Sequence, residues 1–120
     1  MTKQELDSKL YHYKATIKSI YDADTLTIIQ DLGGNIWAHG TKIRLHRINA
    51  YEVRGDEKEK GKLGRDYLRK ILEGKKIYVN TLKKGKYGRW IAEVWAELDD
   101  EIINISDHLV EKGHAIYQDY

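Results

Sequence analysis

The stretch Tyr13-Lys-Ala-Thr-Ile-Lys-Ser-Ile-Tyr-Asp-Ala-Asp-Thr-Leu-Thr-Ile-Ile-Gln30 decides the fold. Apolar and polar residues alternate from Tyr13 to Ile20, which is the period of a half-buried strand. Thr25 to Gln30 is rich in β-branched residues and reads as a second strand. Asp22-Ala23-Asp24-Thr25 sits at their junction. Outward from there, Asp31-Leu32-Gly33-Gly34-Asn35 is a turn signal. Ile36 to Ala38 and Thr41 to Ile48 then form a third strand, interrupted near Gly40.

From Asp56 to Glu73 the period changes, and Leu63, Tyr67, Leu68, Ile71 and Leu72 fall on one helical face. Gly74 is the stop signal, with Lys70 in the last turn. Gly61 and Gly64 weaken the first half, so the helix is expected to start late. Lys76 to Leu82 and Arg89 to Leu98 read as strands four and five, joined by the basic loop Lys83-Lys84-Gly85-Lys86-Tyr87-Gly88. Asn104 or Ser106 caps a second helix that runs through Glu111-Lys112 and ends at Gly113. Residues 1–11 are a short helical or frayed lead-in, and 114–120 a tail. Three strands, a helix, two strands and a helix outline a five-stranded OB-type barrel with two to three helices, mainly β with α.

At 120 residues, with 41% hydrophobic and 33% charged, the chain is expected to be one domain with one core and a wet surface. The absence of Cys excludes disulfides, thiolate metal sites and a Cys nucleophile. Residues 1–13 contain no apolar h-region, so no signal peptide is expected; the chain is read as cytoplasmic or as a mature secreted form. No run approaches a membrane span. Net charge is only +2, yet residues 1–90 hold 20 Lys/Arg against 11 Asp/Glu, and residues 91–120 one Lys against eight acids. A basic sector suits a polyanion, although a solvated lysine face would look the same in sequence.

Three clusters carry chemistry. Asp22 and Asp24 lie two apart, so an extended backbone puts both carboxylates on one face, where they repel unless a cation or donor joins them. Alone, Asp-x-Asp reads equally as a solvated turn. Arg44 lies inside the third strand and needs an anionic partner or an exit to solvent. Asn49-Ala50-Tyr51-Glu52 follows the strand and offers an amide oxygen, a carbonyl and a carboxylate. Arg89 follows the basic loop. Oxygen donors suit a hard cation, and a guanidinium fork suits a phosphate. The five His residues show no ligand spacing, and His46 and His114 read as structural or exposed. The three Trp residues read as packing residues rather than base-stacking platforms. Tyr117 and Tyr120 are either base-stacking or part of a frayed tail.

Taken in order, Asp22-Ala23-Asp24-Thr25, Ile43-Arg44-Leu45, Ile48-Asn49-Ala50-Tyr51-Glu52, Lys86-Tyr87-Gly88-Arg89 and the helix Ser106 to Gly113 resemble the staphylococcal nuclease (thermonuclease) family over about residues 12–117. The resemblance implies an OB-type barrel that hydrolyses DNA and RNA with Ca²⁺ as a monomer, with low sequence specificity, a preference for single strands and 3′-phosphorylated products. By position it makes Asp24 and Asn49 metal ligands, with the Ala50 backbone carbonyl as a third and Asp22 a carboxylate just beyond direct contact. It makes Glu52 the residue that orients or deprotonates water. Arg44 and Arg89 become phosphate clamps, and Lys84, Lys86, Tyr87 and Tyr117 substrate contacts. Two departures stand out: Asn49 replaces the family's usual Asp, and Tyr51 its usual Pro. The alternatives are a non-catalytic nucleic-acid-binding barrel, kept open by Asn49, and a protein-interaction module, against which Arg44, Glu52 and Arg89 together argue.

Overall fold

The computed structural model describes residues 1–119. Its strands are β1 (His12–Asp22), β2 (Thr25–Gly33), β3 (Ile36–Leu45), β4 (Ile48–Ala50), β5 (Lys76–Lys84), β6 (Trp90–Leu98), β7 (Glu101–Asn104) and β8 (Ala115–Tyr117). Its helices are α1 (Lys3–Ser8), α2 (Lys58–Leu72) and α3 (Ile105–Glu111). Antiparallel pairing runs β3-β2-β1-β5-β6, and a short parallel pairing of Ile43 to Leu45 with Trp90 to Ala92 joins the two ends. The five strands therefore close into a barrel of OB type, and closure removes the free sheet edges. β7 hangs from β6 as a hairpin, and β4 pairs with β8 outside the barrel.

Alternation drives the packing. Leu26 and Ile28 of β2, Ile43 and Leu45 of β3, Ile77 and Val79 of β5, and Ala92, Val94 and Ala96 of β6 are fully buried. Their neighbours in sequence face outward, as the two-residue period requires. The helices cap this core with Leu68 and Leu72 of α2 and Ile105 and Leu109 of α3. Tyr67 of α2 bonds His108 of α3 at 2.6 Å, which ties the two helices together. Burial, with the charge of Lys112 behind it, lowers the His108 pKa.

Four details differ from the sequence reading. β3 runs through Gly40 as one strand, with a bulge in its pairing to β2 between Ala38 and Thr41 where the interruption was expected, and it stops at Leu45, because Arg47 takes a left-handed φ of 70° that breaks the strand. Ile48 opens β4 instead. α2 starts at Lys58, ahead of both glycines, after a 3₁₀ turn at Gly55–Glu57. Its buried face is Gly61, Gly64, Leu68 and Leu72, so Leu63, at 65% exposed, is off the core face. Gly61 is there for close approach, since a Cβ on it would overlap the Glu52 carbonyl, while a Cβ on Gly64 would stand 3.4 Å from the Ala23 Cβ, close to ordinary contact. Of the tryptophans, Trp37 and Trp90 are exposed near strand ends, so neither packs in the core. Asn104 is the cap of α3, its Oδ1 accepting from the Asp107 N–H at 3.1 Å. Tyr117 lies in β8, not in a frayed tail; Tyr120 lies outside the described residues.

Candidate active site

The β1–β2 turn is where the site begins. Asp22 pairs with Thr25 at the end of the hairpin, and the Asp24 N–H donates to Asp22 Oδ1 at 3.1 Å. Helix α2 lies over this turn through Gly64, and Asp24 is only 5% exposed. A carboxylate so buried needs donors. Thr25 Oγ1 donates to Asp24 Oδ1 at 3.0 Å, and the Ala50 N–H to Oδ2 at 2.8 Å. Arg44 Nη1 completes the set, 3.1 Å from Oδ2. The Leu45 N–H bonds the Asp24 carbonyl at 2.9 Å, so β2 and β3 hold the pair in register.

Arg44 is buried. Its Nη1 also donates to the carbonyls of Leu45 and Ile48, each at 3.1 Å, and Nη2 to Asn49 Oδ1 at 3.4 Å. These bonds span the turn between β3 and β4, so Arg44 holds the loop that carries Asn49, Ala50 and Glu52. Arg89 approaches from the other side, with Nη1 3.4 Å from Thr25 Oγ1. Burial lowers the Arg44 pKa; the Asp24 charge opposes this and the nearby Arg89 charge adds to it. Thr25, given no role from the sequence, thus bridges the acidic and basic halves of the site.

The two arginines share a cavity of about 680 Å³ with Lys83, Lys84, Lys86 and Tyr87. Among the described residues no carboxylate lines it. Its rim is shaped by the 3₁₀ turn Lys86–Gly88, in which Tyr87 sits at φ 61° and is 86% exposed. The Arg89 guanidinium lies 5.7 Å from the Tyr87 ring centroid. A preorganised pair of guanidinium groups ringed by lysines suits an oxyanion.

On the acidic side, Asp22 is pushed up to about 7, first by burial and then by its neighbour Asp24. Two crowded carboxylates in that state suit a cation between them. The remaining donors there are the Asn49 amide oxygen and the Ala50 carbonyl, an all-oxygen set that fits Ca²⁺ or Mg²⁺ in kind. No three His, Cys, Asp or Glu side chains cluster for a metal among the described residues. Glu52 is exposed in the loop after β4, and its side chain makes no hydrogen bond or ion pair among the described residues. Its backbone is fixed: the Glu52 carbonyl lies against Gly61 of α2.

The structure therefore brings Asp22, Asp24, Arg44, Asn49, Ala50 and Arg89 together, with Lys84, Lys86 and Tyr87 around the cavity. Tyr117 is apart from it. It pairs with Ile48 across β4–β8 and donates its hydroxyl to Asp107 at 2.8 Å. That hydroxyl belongs to a second network, in which Arg47 bonds Glu93 at 2.9 Å, Asp107 at 2.7 Å and Asn104 at 3.2 Å. The Arg47 guanidinium holds the Asp107 carboxyl below its ordinary pKa. The signal for this network was Glu93, a carboxylate inside the apolar run Ile91 to Ala96.

The family model of staphylococcal nuclease homologues matches residues 42–120, which include Arg44, Asn49, Glu52 and Arg89. An uncharacterized protein of Methanocaldococcus jannaschii is 27% identical, aligned over 87% of this chain and 58% of its own length. Proteins named uncharacterized endonuclease in Escherichia coli O157:H7 and in Escherichia coli are each 26% identical, over 84% of this chain and 59% of theirs. The chain thus spans a little under three fifths of the length of these curated relatives. With the barrel, the order of the site residues and this match over most of the chain in agreement, the chain belongs to the staphylococcal nuclease homologue family.

Proposed function

We propose that this chain is a calcium-dependent nuclease domain that hydrolyses phosphodiester bonds of DNA and RNA with low sequence specificity, preferring single strands and acting as a monomer. The observation that carries the reading is the cavity shared by Arg44, Arg89 and three lysines beside the half-buried Asp22 and the buried Asp24. Asp24, Asn49 and the Ala50 carbonyl would hold Ca²⁺, with Asp22 behind them. The bound ion would polarise the phosphate oxygen and favour ionisation of a water.

The chain's own residues do the rest. Arg44 and Arg89 bind the scissile phosphate and stabilise the charge that grows on its equatorial oxygens. Arg44 is held by Asp24 and by the Leu45 and Ile48 carbonyls, so little reorganisation is needed when the substrate arrives. Glu52 takes the proton of an in-line water. Lys83, Lys84 and Lys86 hold neighbouring phosphates, which makes binding mostly electrostatic and salt-sensitive. Tyr87 offers an exposed ring beside them for a base.

One observation favours a second reading, a barrel that binds nucleic acid without cutting it: residue 49, which would be the second metal ligand, is an amide rather than a carboxylate. Incubation of the purified protein with single-stranded DNA in Ca²⁺ or in EGTA separates the two. Cleavage in Ca²⁺ alone is expected. Intact DNA with Ca²⁺, Mg²⁺ and Mn²⁺ at micromolar folded protein would leave the binding module.

A further inference from the structure

One end of the barrel is open. Five inward-facing positions, one from each barrel strand, end the stack there: Tyr13, Gln30, Thr41, Thr81 and Trp90. Each stands two residues along its strand from a buried apolar residue, so alternation aims all five at the barrel axis. They line a cavity of about 530 Å³. Barrel mouths of this size are a common place for small ligands.

Gln30 is the unusual member. It is only 5% exposed, and its carboxamide has no hydrogen-bond partner among the described residues. Its amide is not among the buried polar atoms left without a partner, so it opens to the cavity, where it is free to pair with a ligand. The walls are aromatic. Trp90 and Tyr13 come from the strands, and Tyr11 closes over the mouth. Tyr11 sits at φ 62°, a costly conformation for a residue with a Cβ. It is held there by two bonds to its carbonyl, from the Thr81 N–H at 3.1 Å and Asn80 Nδ2 at 3.2 Å, while its ring stays 62% exposed. Aromatic faces around an amide that opens to the cavity match a ligand that is flat and apolar on its faces and polar on its edge.

A surface groove that shares Thr41 and Trp90 with this cavity and Tyr87 with the arginine cavity lies between the two. Trp90 follows Arg89 directly, and Lys84 Nζ lies 5.8 Å from the Trp90 ring centroid. The surface between the two carries Lys42 and Tyr87, and Thr41 and Trp90 face it as well. Thr41 is three residues from Arg44 on β3, roughly 10 Å at strand rise. A strand whose phosphate sat on Arg44 and Arg89 would bring a nearby base to the barrel mouth.

We propose that the open end of the barrel is a base-binding subsite. A base of a single-stranded nucleic acid enters it, stacks on Trp90 and Tyr13, and pairs its edge with the Gln30 carboxamide. The proposal rests on the nucleic-acid reading of the arginine cavity and adds to it a second point of contact that senses bases rather than phosphates. Trp90 is then a stacking platform, contrary to the packing role read from the sequence.

The test is calorimetric titration in EGTA, so that no strand is cut. The probes are a deoxyadenosine tetranucleotide and the same backbone with abasic sites. Wild type should bind the tetranucleotide more tightly than the abasic form. Gln30→Leu should weaken the tetranucleotide roughly tenfold, the effect of losing one amide–base pair. It should leave abasic binding unchanged. Trp90→Ala, at the exposed rim, should weaken the tetranucleotide by a similar factor. Equal affinity of wild type and Gln30→Leu, no preference over the abasic backbone, or no binding by wild type overturns the subsite. If DNA is cleaved but Gln30→Leu changes nothing, the subsite is wrong and the nuclease reading stands. If Gln30→Leu weakens binding in a protein that cuts nothing, the subsite stands and the nuclease reading fails.

Discussion

Arg44 Nη1 stands 3.1 Å from Asp24 Oδ2, in a pair whose side chains are 10% and 7% exposed. The same guanidinium closes the β3–β4 turn through the Leu45 and Ile48 carbonyls. Arg89 is anchored more loosely, by one 3.4 Å contact to Thr25. The two arginines of the cavity therefore differ in what else they do.

Arg44→Ala and Arg89→Ala should each lower kcat/KM by about 10²–10³, the usual loss on removing a donor to a developing charge. Only Arg44→Ala should also cost stability, of the order of 3–5 kcal/mol, because it strands a buried carboxylate. Arg89→Lys should not restore the rate, since an ammonium lacks the two-pronged contact. Steady-state kinetics with thermal melts decide this. Equal melting temperatures for the two alanine variants would mean that Asp24 finds other donors, and wild-type rates would remove the arginines from the chemistry.

Gly61→Ala sets two effects against each other. Alanine is the better helix former by about 1 kcal/mol. Yet a Cβ there would overlap the Glu52 carbonyl and stand 2.7 Å from the Val53 nitrogen. Backbone cannot yield as a side chain does, and overpacking typically costs about 1–3 kcal/mol, so the clash wins. The variant should melt lower, and its kcat should fall by up to about 10²-fold as Glu52 is displaced. A stabilised variant at full activity would show that the Glu52 loop moves without consequence.

Removal of Lys83, Lys84 and Lys86 together should raise KM and flatten its salt dependence, with kcat little changed. Their side chains line the cavity without entering the bonded group around Asp24. An unchanged salt slope in the triple alanine variant would take the end of β5, with Lys83 and Lys84, and the following turn, with Lys86, out of substrate binding.

The barrel was legible because its five long strands carry their period in plain view. β4 and β8 were not, since three residues each are too few for a period to show. Their pairing depends on the turn at Arg47, a left-handed residue that no propensity marks. Gly61 and Gly64 were misread for a related reason. A propensity argument counts what a glycine costs the helix, whereas Gly61 lets α2 approach the Glu52 loop and Gly64 lies against the Asp22–Thr25 turn. At the site, residue types and order were readable; what Arg44 bonds to, and Thr25 as a bridge, needed three dimensions. Gln30 was the least visible of all, because an amide ending an apolar strand looks like an exposed terminus until the barrel closes around it.

Asn49 offers the last prediction. An amide oxygen can ligate Ca²⁺ but brings no charge, and the number of charged ligands tunes affinity in oxygen sites. Asn49→Asp should therefore tighten Ca²⁺ binding and lower the Ca²⁺ needed for half-maximal cleavage. The sequence alone suggests a penalty in the metal-free protein, since a third carboxylate would repel Asp22 and Asp24. The structure opposes that penalty: Arg44 Nη2 already lies 3.4 Å from Asn49 Oδ1 and would meet the new charge. Asn49 is also exposed, which screens both effects. The metal-free melting temperature should then change little, while the rise on adding Ca²⁺ grows. Calorimetric Ca²⁺ titration reads the first claim and thermal melts the second. A marked drop in metal-free stability would mean that repulsion outweighs Arg44. An unchanged Ca²⁺ affinity would place residue 49 away from the ion, and with it the assignment of this loop as a support of the metal would fall.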